Sequence, residues 1–424
     1  MFALRHVVPL FTLSIAFAFP ACDSESGASD PGRGDAGGNA SSSGGASSGG
    51  GGTGGASTGN GGGKADDGAP GAPEVQLIGR FDTRDAAGPK CAWPGCRIVA
   101  RFDGTGASVE MNELVETWMD GGPSEWDVAI DGTWRDKLVM KPGSSKYPLA
   151  QGLAKGPHTV ELYKRTDAQN GTTQLVGFDF AGGTLLAPPP RKQRRVEIVA
   201  DSVATGYGVE GVAAAQNGIC PGPGYAARWA NFRVSLGARL AEALDAELFG
   251  TVHSGKGISR NIWRPDVDTL PVLFERSVPS DPASTWDFSR WTADAVVVMG
   301  GGNDFDIGQP TDDGPPTLPQ FETAYRTFVD AIRKHYPQAH LFLTVSPSVS
   351  DAIPEGRNTR TNIRTGVNAV ADAMRAQGDA RVYAFEPGAA QPGELTGCDG
   401  HGNPAFHQRI GNELAAAIKA KLGW

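Results

Sequence analysis

Basic residues are too few in this chain, and too scattered, to serve a polyanion. Its 38 lysines and arginines are outnumbered by 47 aspartates and glutamates, giving a formal net charge of −9. Proteins that neutralise nucleic-acid phosphates carry a basic face instead. The densest basic run, "RKQRR" at 191–195, reads as a solvated linker. Metal signatures are missing as well: with no CxxC, no HExxH and no paired Cys/His spacing, neither a metal nor another cofactor is expected. The apolar run from Val7 to Phe19 falls short of the ~20 residues that span a bilayer, but suits the core of a signal peptide.

An exported chain is therefore expected, and two processing routes stay open. One is cleavage after Ala18; the other is cleavage before Cys22, with a signal peptide over 1–21 and lipid on that cysteine. The "FPAC" that spans the cut only loosely matches a bacterial lipobox. Cysteine parity favours lipidation of Cys22, because it leaves an even four, Cys91, Cys96, Cys220 and Cys398, in an oxidising compartment. Of the three possible pairings the expectation is Cys91–Cys96 and Cys220–Cys398. Membrane contact is then expected only through the lipid, on a cell-envelope or secreted protein.

Residues 22–73 are mostly Gly, Ser, Ala and Asp, with no apolar side chains to offset ordering entropy, and read as a flexible tether. Its root-mean-square reach is about 40 Å. Between 74 and 187, short β-rich runs such as "RIVARF", "WDVAI" and "HTVELYKR" are separated by Gly, Pro and Asp turns, which predicts an all-β sandwich. Residues 188–195 form the linker. From 196 to 424 the apolar runs "VEIVA", "AELFG", "AVVVMG", "HLFLTV" and "RVYAFE" alternate with amphipathic helices, which predicts a parallel three-layer α/β domain. Ligands of such domains bind beyond the carboxyl ends of the strands.

Chemistry-bearing residues stand at those ends. "VEIVADS" delivers Asp201 and Ser202, a position that is commonly a helix cap or turn. "AVVVMGGGNDF" delivers Asn303, whose amide could donate to an oxyanion, and Asp304. "TVHSGKGI" presents the backbone N–H of Gly255 with no side chain to obstruct it. A base is needed, and among seven histidines His401 lies in a loop just after Asp399, whereas His407 opens the last helix and reads as structural.

In that order the blocks resemble the SGNH, or GDSL-like, hydrolases, and the runs "GRFDTR", "RFDGT", "WDFSRW" and "SGKGISRN" resemble carbohydrate esterase family 2. The resemblance implies a jelly-roll followed by an SGNH domain, and a serine esterase that removes O-acetyl groups from plant polysaccharide such as xylan or glucomannan. It implies Ser202 as nucleophile, His401 as base and Asp399 as its partner. The oxyanion hole would be built from Ser202, Gly255 and Asn303, and substrate would be contacted by Tyr207, Asp304 and Trp263. An acetylated polysaccharide or oligosaccharide is the expected partner, and nucleic acid is not.

Three departures from the family pattern stand out: Ala200 replaces the usual glycine before Asp-Ser, Asp399 precedes His401 by two residues rather than three, and Gly402 follows the histidine in place of proline. The second leaves open whether Asp399 or a backbone carbonyl orients the imidazole. Rival readings are a carbohydrate-binding lipoprotein with a weakened site, its Trp93, Trp126 and Trp134 stacking on sugars, and a lipase or thioesterase on the same scaffold. A P-loop in "GTVHSGKG" fails because Gly257 stands where the magnesium-binding hydroxyl belongs.

Overall fold

Alternating apolar residues build the first half of the folded chain into two antiparallel sheets. In the computed structural model, which describes residues 72–114, 121–222, 225–263, 266–306 and 314–424, the strands are β1 (Gln76–Ile78), β2 (Lys90–Cys91), β3 (Arg97–Asp103), β4 (Ala107–Leu114), β5 (Glu125–Ile130), β6 (Thr133–Trp134), β7 (Leu138–Val139), β8 (Gly143–Ala150), β9 (Pro157–Lys164), β10 (Thr172–Asp179) and β11 (Thr184–Leu186). One sheet runs β1-β3-β9-β5-β6, with β11 beside β3 and β7 beside β5; the other runs β2-β10-β4-β8. Their inner faces meet in a core that includes Trp93, Phe102, Val109, Trp126, Val160 and Leu162. Trp93 and Trp126 are thus core residues, 1% and 0% exposed, and cannot stack on a sugar. Strand β8, "GSSKYPLA", is a sheet edge whose polar composition and Pro148 hide it from hydropathy, and an edge is where a strand proline is tolerated.

The five long apolar runs form the second half's parallel sheet in the order β13-β12-β14-β15-β16: β12 (Arg194–Ala200), β13 (Ala246–Val252), β14 (Ala295–Met299), β15 (His340–Thr344) and β16 (Val382–Phe385). Helices α1 (Ser202–Thr205), α2 (Leu236–Leu244), α3 (Leu270–Phe274), α4 (Leu318–His335), α5 (Thr359–Ala376) and α6 (Pro404–Leu422) follow the strands. On one face Leu236, Leu240, Phe406, Ile410 and Leu414 of α2 and α6 pack on Ile198, Val252 and Val297. On the other, Phe321, Phe328 and Ile332 of α4 and Ile363 and Val367 of α5 pack on Val199, Val296 and Leu341. Burial on both faces is why these strands read as continuous apolar runs. Strand β12 begins inside the presumed linker, because Arg194 and Arg195 already pair with Ala246 and Glu247. Arg191 meets the buried Glu247 through Nε at 2.8 Å, so "RKQRR" is partly tied down rather than solvated.

The described residues belong to one compact unit of the chain, and the sandwich grips the parallel sheet through polar groups. Arg80, 1% exposed, places Nη2 2.7 Å from Glu197 Oε1 inside β12, whose carboxylate also accepts from Thr251 and Tyr336. Arg165 reaches Asp127 at 2.8 Å and Glu210 at 2.7 Å. The cysteines pair as Cys91–Cys96 and Cys220–Cys398. The second bridge crosses Gly211, where any Cβ would collide with both sulfurs. Among the described residues no helix is long and apolar enough to cross a membrane. The signal sequence, Cys22 and the tether up to residue 71 lie outside the described residues.

Candidate active site

Parallel pairing decides which side chains can meet. Ala200 lies opposite Val252 on one side and Met299 on the other, so the chain leaves β12, β13 and β14 at a common edge. Two residues beyond Ala200 comes Ser202, three beyond Val252 comes Gly255, and four beyond Met299 comes Asn303.

Ser202 opens the one-turn helix α1 and is half-buried. Asp201 is its N-cap: Oδ1 accepts from the Val203 N–H at 3.1 Å, satisfying a donor that a helix start leaves unpaired. Burial pushes this carboxyl up to about 7, aided by the nearby Asp304 charge and opposed by the Val203 bond. Gly255 has φ of +76°, and a Cβ there would lie 3.2 Å from both Ile262 Cγ2 and the Trp263 ring. The left-handed φ favours glycine, and a Cβ would in addition press on both neighbours. Asn303 is buried and donates one amide hydrogen to the Lys256 carbonyl at 2.8 Å, which ties its side chain to the residue after Gly255.

His401 follows a 3-10 turn at Cys398–Gly400. Its Nδ1 sits 2.9 Å from the Cys398 carbonyl oxygen. A carbonyl only accepts, so Nδ1 carries the hydrogen and Nε2 is left as the basic nitrogen. Burial lowers the imidazole's pKa below the ordinary value, against the raising effects of the Cys398 carbonyl and the Asp399 charge. No hydrogen bond joins Ser202 Oγ to His401 among the described residues; catalytic bonds of this kind commonly tighten only with substrate in place.

Asp399 does not take the orienting place that the triad reading gives it. It adopts a left-handed φ of 54° and is exposed, and its Oδ2 accepts from Tyr207 OH at 2.9 Å. The carbonyl one residue earlier occupies Nδ1 instead. Tyr207 is likewise not a substrate contact: it is 2% exposed, and its hydroxyl, while donating to Asp399, accepts from the Tyr225 N–H at 2.9 Å. Asp304 is the third correction. It is fully buried and accepts from Ile258 N at 2.8 Å, Ser259 N and Oγ at 2.6 Å and Arg260 N at 3.2 Å, so it shapes the 258–260 turn and has no face toward solvent. Trp263, by contrast, is 43% exposed beside Gly255.

Tyr225 escaped sequence reasoning. Its ring stacks on Tyr207 at 4.4 Å and meets His401 edge-on at 6.0 Å and Trp263 at 5.8 Å, so it links the histidine loop to the glycine turn. It lies in "PGPGYAARW", a stretch with turn chemistry and no periodicity, and only the nearby Cys220–Cys398 bridge hinted at its placement. His407 is 1% exposed, and its Nδ1 accepts from Leu236 N at 3.2 Å at the start of α2, a structural bond between helices.

A three-layer α/β sheet with serine, glycine, asparagine and histidine blocks in this order defines a GDSL-like hydrolase. Residues 201–409 match the family model described as GDSL-like Lipase/Acylhydrolase family, and residues 77–190 match Carbohydrate esterase 2 N-terminal. Among curated proteins, the chain is 33% identical over 355 residues to the cellulase/esterase CelE of Acetivibrio thermocellus, covering 83% of this chain and 40% of CelE. It is 24% identical to the acetylxylan esterase / glucomannan deacetylase of Cellvibrio japonicus, covering 83% of this chain and 90% of that protein. Among solved structures, a family two carbohydrate esterase from Clostridium thermocellum in complex with cellohexaose is 31% identical with a TM-score of 0.72, covering 83% of this chain and all of that one. The chain belongs to the family 2 carbohydrate esterases, which are carboxylic ester hydrolases.

Proposed function

We propose that this protein removes O-acetyl groups from a plant cell-wall polysaccharide, xylan or glucomannan, through an acetyl-serine intermediate at Ser202. The observation that carries the reading is the convergence of Ser202, Gly255 and Asn303 on three adjacent strand ends, together with a histidine whose Nδ1 hydrogen bond leaves Nε2 basic. In this reading His401 Nε2 takes the Ser202 proton as Oγ attacks the acetyl carbonyl. Negative charge develops on the carbonyl oxygen and is met by the N–H groups of Ser202 and Gly255 and by the second amide hydrogen of Asn303. The imidazolium then gives its proton to the departing sugar oxygen as the acyl C–O bond breaks, which frees the sugar hydroxyl. Water, deprotonated by His401, releases acetate and restores the serine.

The Cys398 carbonyl stabilises the imidazolium in place of a carboxylate, so the unit is a serine–histidine dyad. Trp263, 43% exposed beside Gly255, is the side chain to which we assign contact with a sugar ring. The sequence reading of an exported chain with a leader, a lipidated Cys22 and a long tether fits an esterase held at the cell envelope near polymeric substrate. The test is acetate release from acetylated xylan, glucomannan and chitin oligomers, comparing the chain with Ser202→Ala. Release from xylan or glucomannan that vanishes in the variant is expected. No release from any of them, or equal release by the variant, refutes the reading.

A further inference from the structure

The turn that carries Gly255 is fastened from outside the catalytic sheet. We infer that Asp167, a residue of the sandwich, is a positioning residue for oxyanion binding: acting through Ser254, it fixes the direction in which the Gly255 N–H points. The inference rests on the esterase reading above and adds to it a component supplied by the sandwich.

Asp167 is 1% exposed. Its Oδ2 accepts from Ser254 Oγ and from Ser254 N, the latter at 3.3 Å, and its Oδ1 accepts from Gln169 N at 3.4 Å. The segment bearing it is itself pinned: Lys164, 0% exposed, donates from Nζ to the Thr166 and Asp167 carbonyls at 3.3 and 3.2 Å and to Thr166 Oγ1 at 3.1 Å. Leaving a carboxylate in such a place is costly unless it is hydrogen-bonded. Two of its three donors belong to Ser254.

Ser254 and Gly255 share one peptide plane. The Ser254 carbonyl accepts from His253 Nδ1 at 2.9 Å, and because a trans peptide is planar, fixing that carbonyl directs the Gly255 N–H the opposite way. Burial lowers the pKa of His253 and keeps it neutral, with Asp167 and Lys256 contributing opposed charge effects. On the far side, Ile262 N donates to Gly255 O at 2.9 Å and Asn303 Nδ2 donates to Lys256 O. The catalytic domain thus holds the plane through its carbonyl and the residues that follow it, whereas the amide and hydroxyl of Ser254 are held by Asp167, 87 residues away in sequence. Loosening that clamp lets the plane rock. A rocking donor costs most where charge develops, so the transition state suffers and bound substrate does not.

Two variants read this. Asp167→Asn keeps an acceptor for Gln169 but sets an amide donor against the Ser254 N–H; Ser254→Ala removes only the hydroxyl. With p-nitrophenyl acetate, kcat is expected to fall about 10- to 100-fold in the first and about 5-fold in the second, with KM within about twofold; loss of a whole oxyanion donor costs ~10²–10³. Inhibition by methylboronic acid, whose tetrahedral adduct on Ser202 puts an oxygen in the same hole, is expected to weaken in proportion to kcat/KM. Folded variants with unchanged kcat and boronate affinity, or with a change in KM alone, overturn the inference. If Asp167→Asn does not fold, Ser254→Ala decides by the same criteria. A parent chain whose activity survives Ser202→Ala would instead overturn the esterase reading, so the two failures are distinguishable.

Discussion

Replacing Asp399 with asparagine separates the two ways a serine–histidine pair can be oriented. If a carboxylate held Nδ1, its loss would cost ~10⁴ in turnover even with the geometry preserved, about 5.4 kcal/mol. Here Nδ1 is 2.9 Å from the Cys398 carbonyl, and the Asp399 carboxylate is exposed and bonded to Tyr207. Asparagine keeps an acceptor for the Tyr207 hydroxyl and removes only a solvent-screened charge, whose effect on the imidazolium is small at such a position. We therefore expect kcat within about tenfold of the parent, roughly 1.4 kcal/mol or less. The assay is initial-rate hydrolysis of p-nitrophenyl acetate with circular dichroism as the check on folding. A thousandfold or greater loss in a folded variant would refute the reasoning and restore the triad.

Two further outcomes concern stability. Arg80→Ala leaves Glu197 buried without its cation, so the unfolding free energy is expected to drop by about 3–5 kcal/mol, read from urea denaturation; an unchanged midpoint would show that the bridge between sandwich and sheet contributes nothing net. Burial, helped by the nearby His401 and Arg239 charges, holds the pKa of His407 down to about 3, while its unfolded value is ordinary, about 6.5. Between those values the unfolded chain takes up a proton that the folded chain refuses, so the stabilising contribution is complete above about pH 6.5 and declines as pH falls. From pH 6.5 to 4.5 the loss amounts to about 2.3 kcal/mol. His407→Gln should lack that part of the pH slope, and identical slopes in the two proteins would contradict the assignment.

Strand pattern and strand-end chemistry were legible in the sequence because both are local. Five apolar runs sufficed for the parallel sheet, and Ser202, Gly255 and Asn303 stand within four residues of the strands that carry them. What could not be read was the use to which polar atoms are put. A backbone carbonyl such as that of Cys398 is present at every position and leaves no mark, so the partner of His401 was undecidable. Asp304 looked available at a strand end, but three consecutive amides of the 258–260 turn fold onto it. The family resemblance implied Tyr207 as a contact for substrate; its burial depends on Tyr225 and Asp399, residues joined to it only by tertiary structure. Asp167 is the extreme case, for no periodicity connects a turn of the sandwich to the serine it holds. Strand β8 carries little periodic signal for a different reason: it lies at a sheet edge, and Tyr147 is its one buried residue.

The central claim is that Ser202 and His401 act as one catalytic unit. It is tested most directly by kcat for Ser202→Ala, His401→Ala and the double variant, measured on one acetyl ester with folding confirmed. Residues that act together are grossly non-additive. The account predicts that each single change lowers kcat by several orders of magnitude and that the double variant loses little more. A Ser202→Ala protein that still turns over, or single losses that multiply in the double variant, would contradict it.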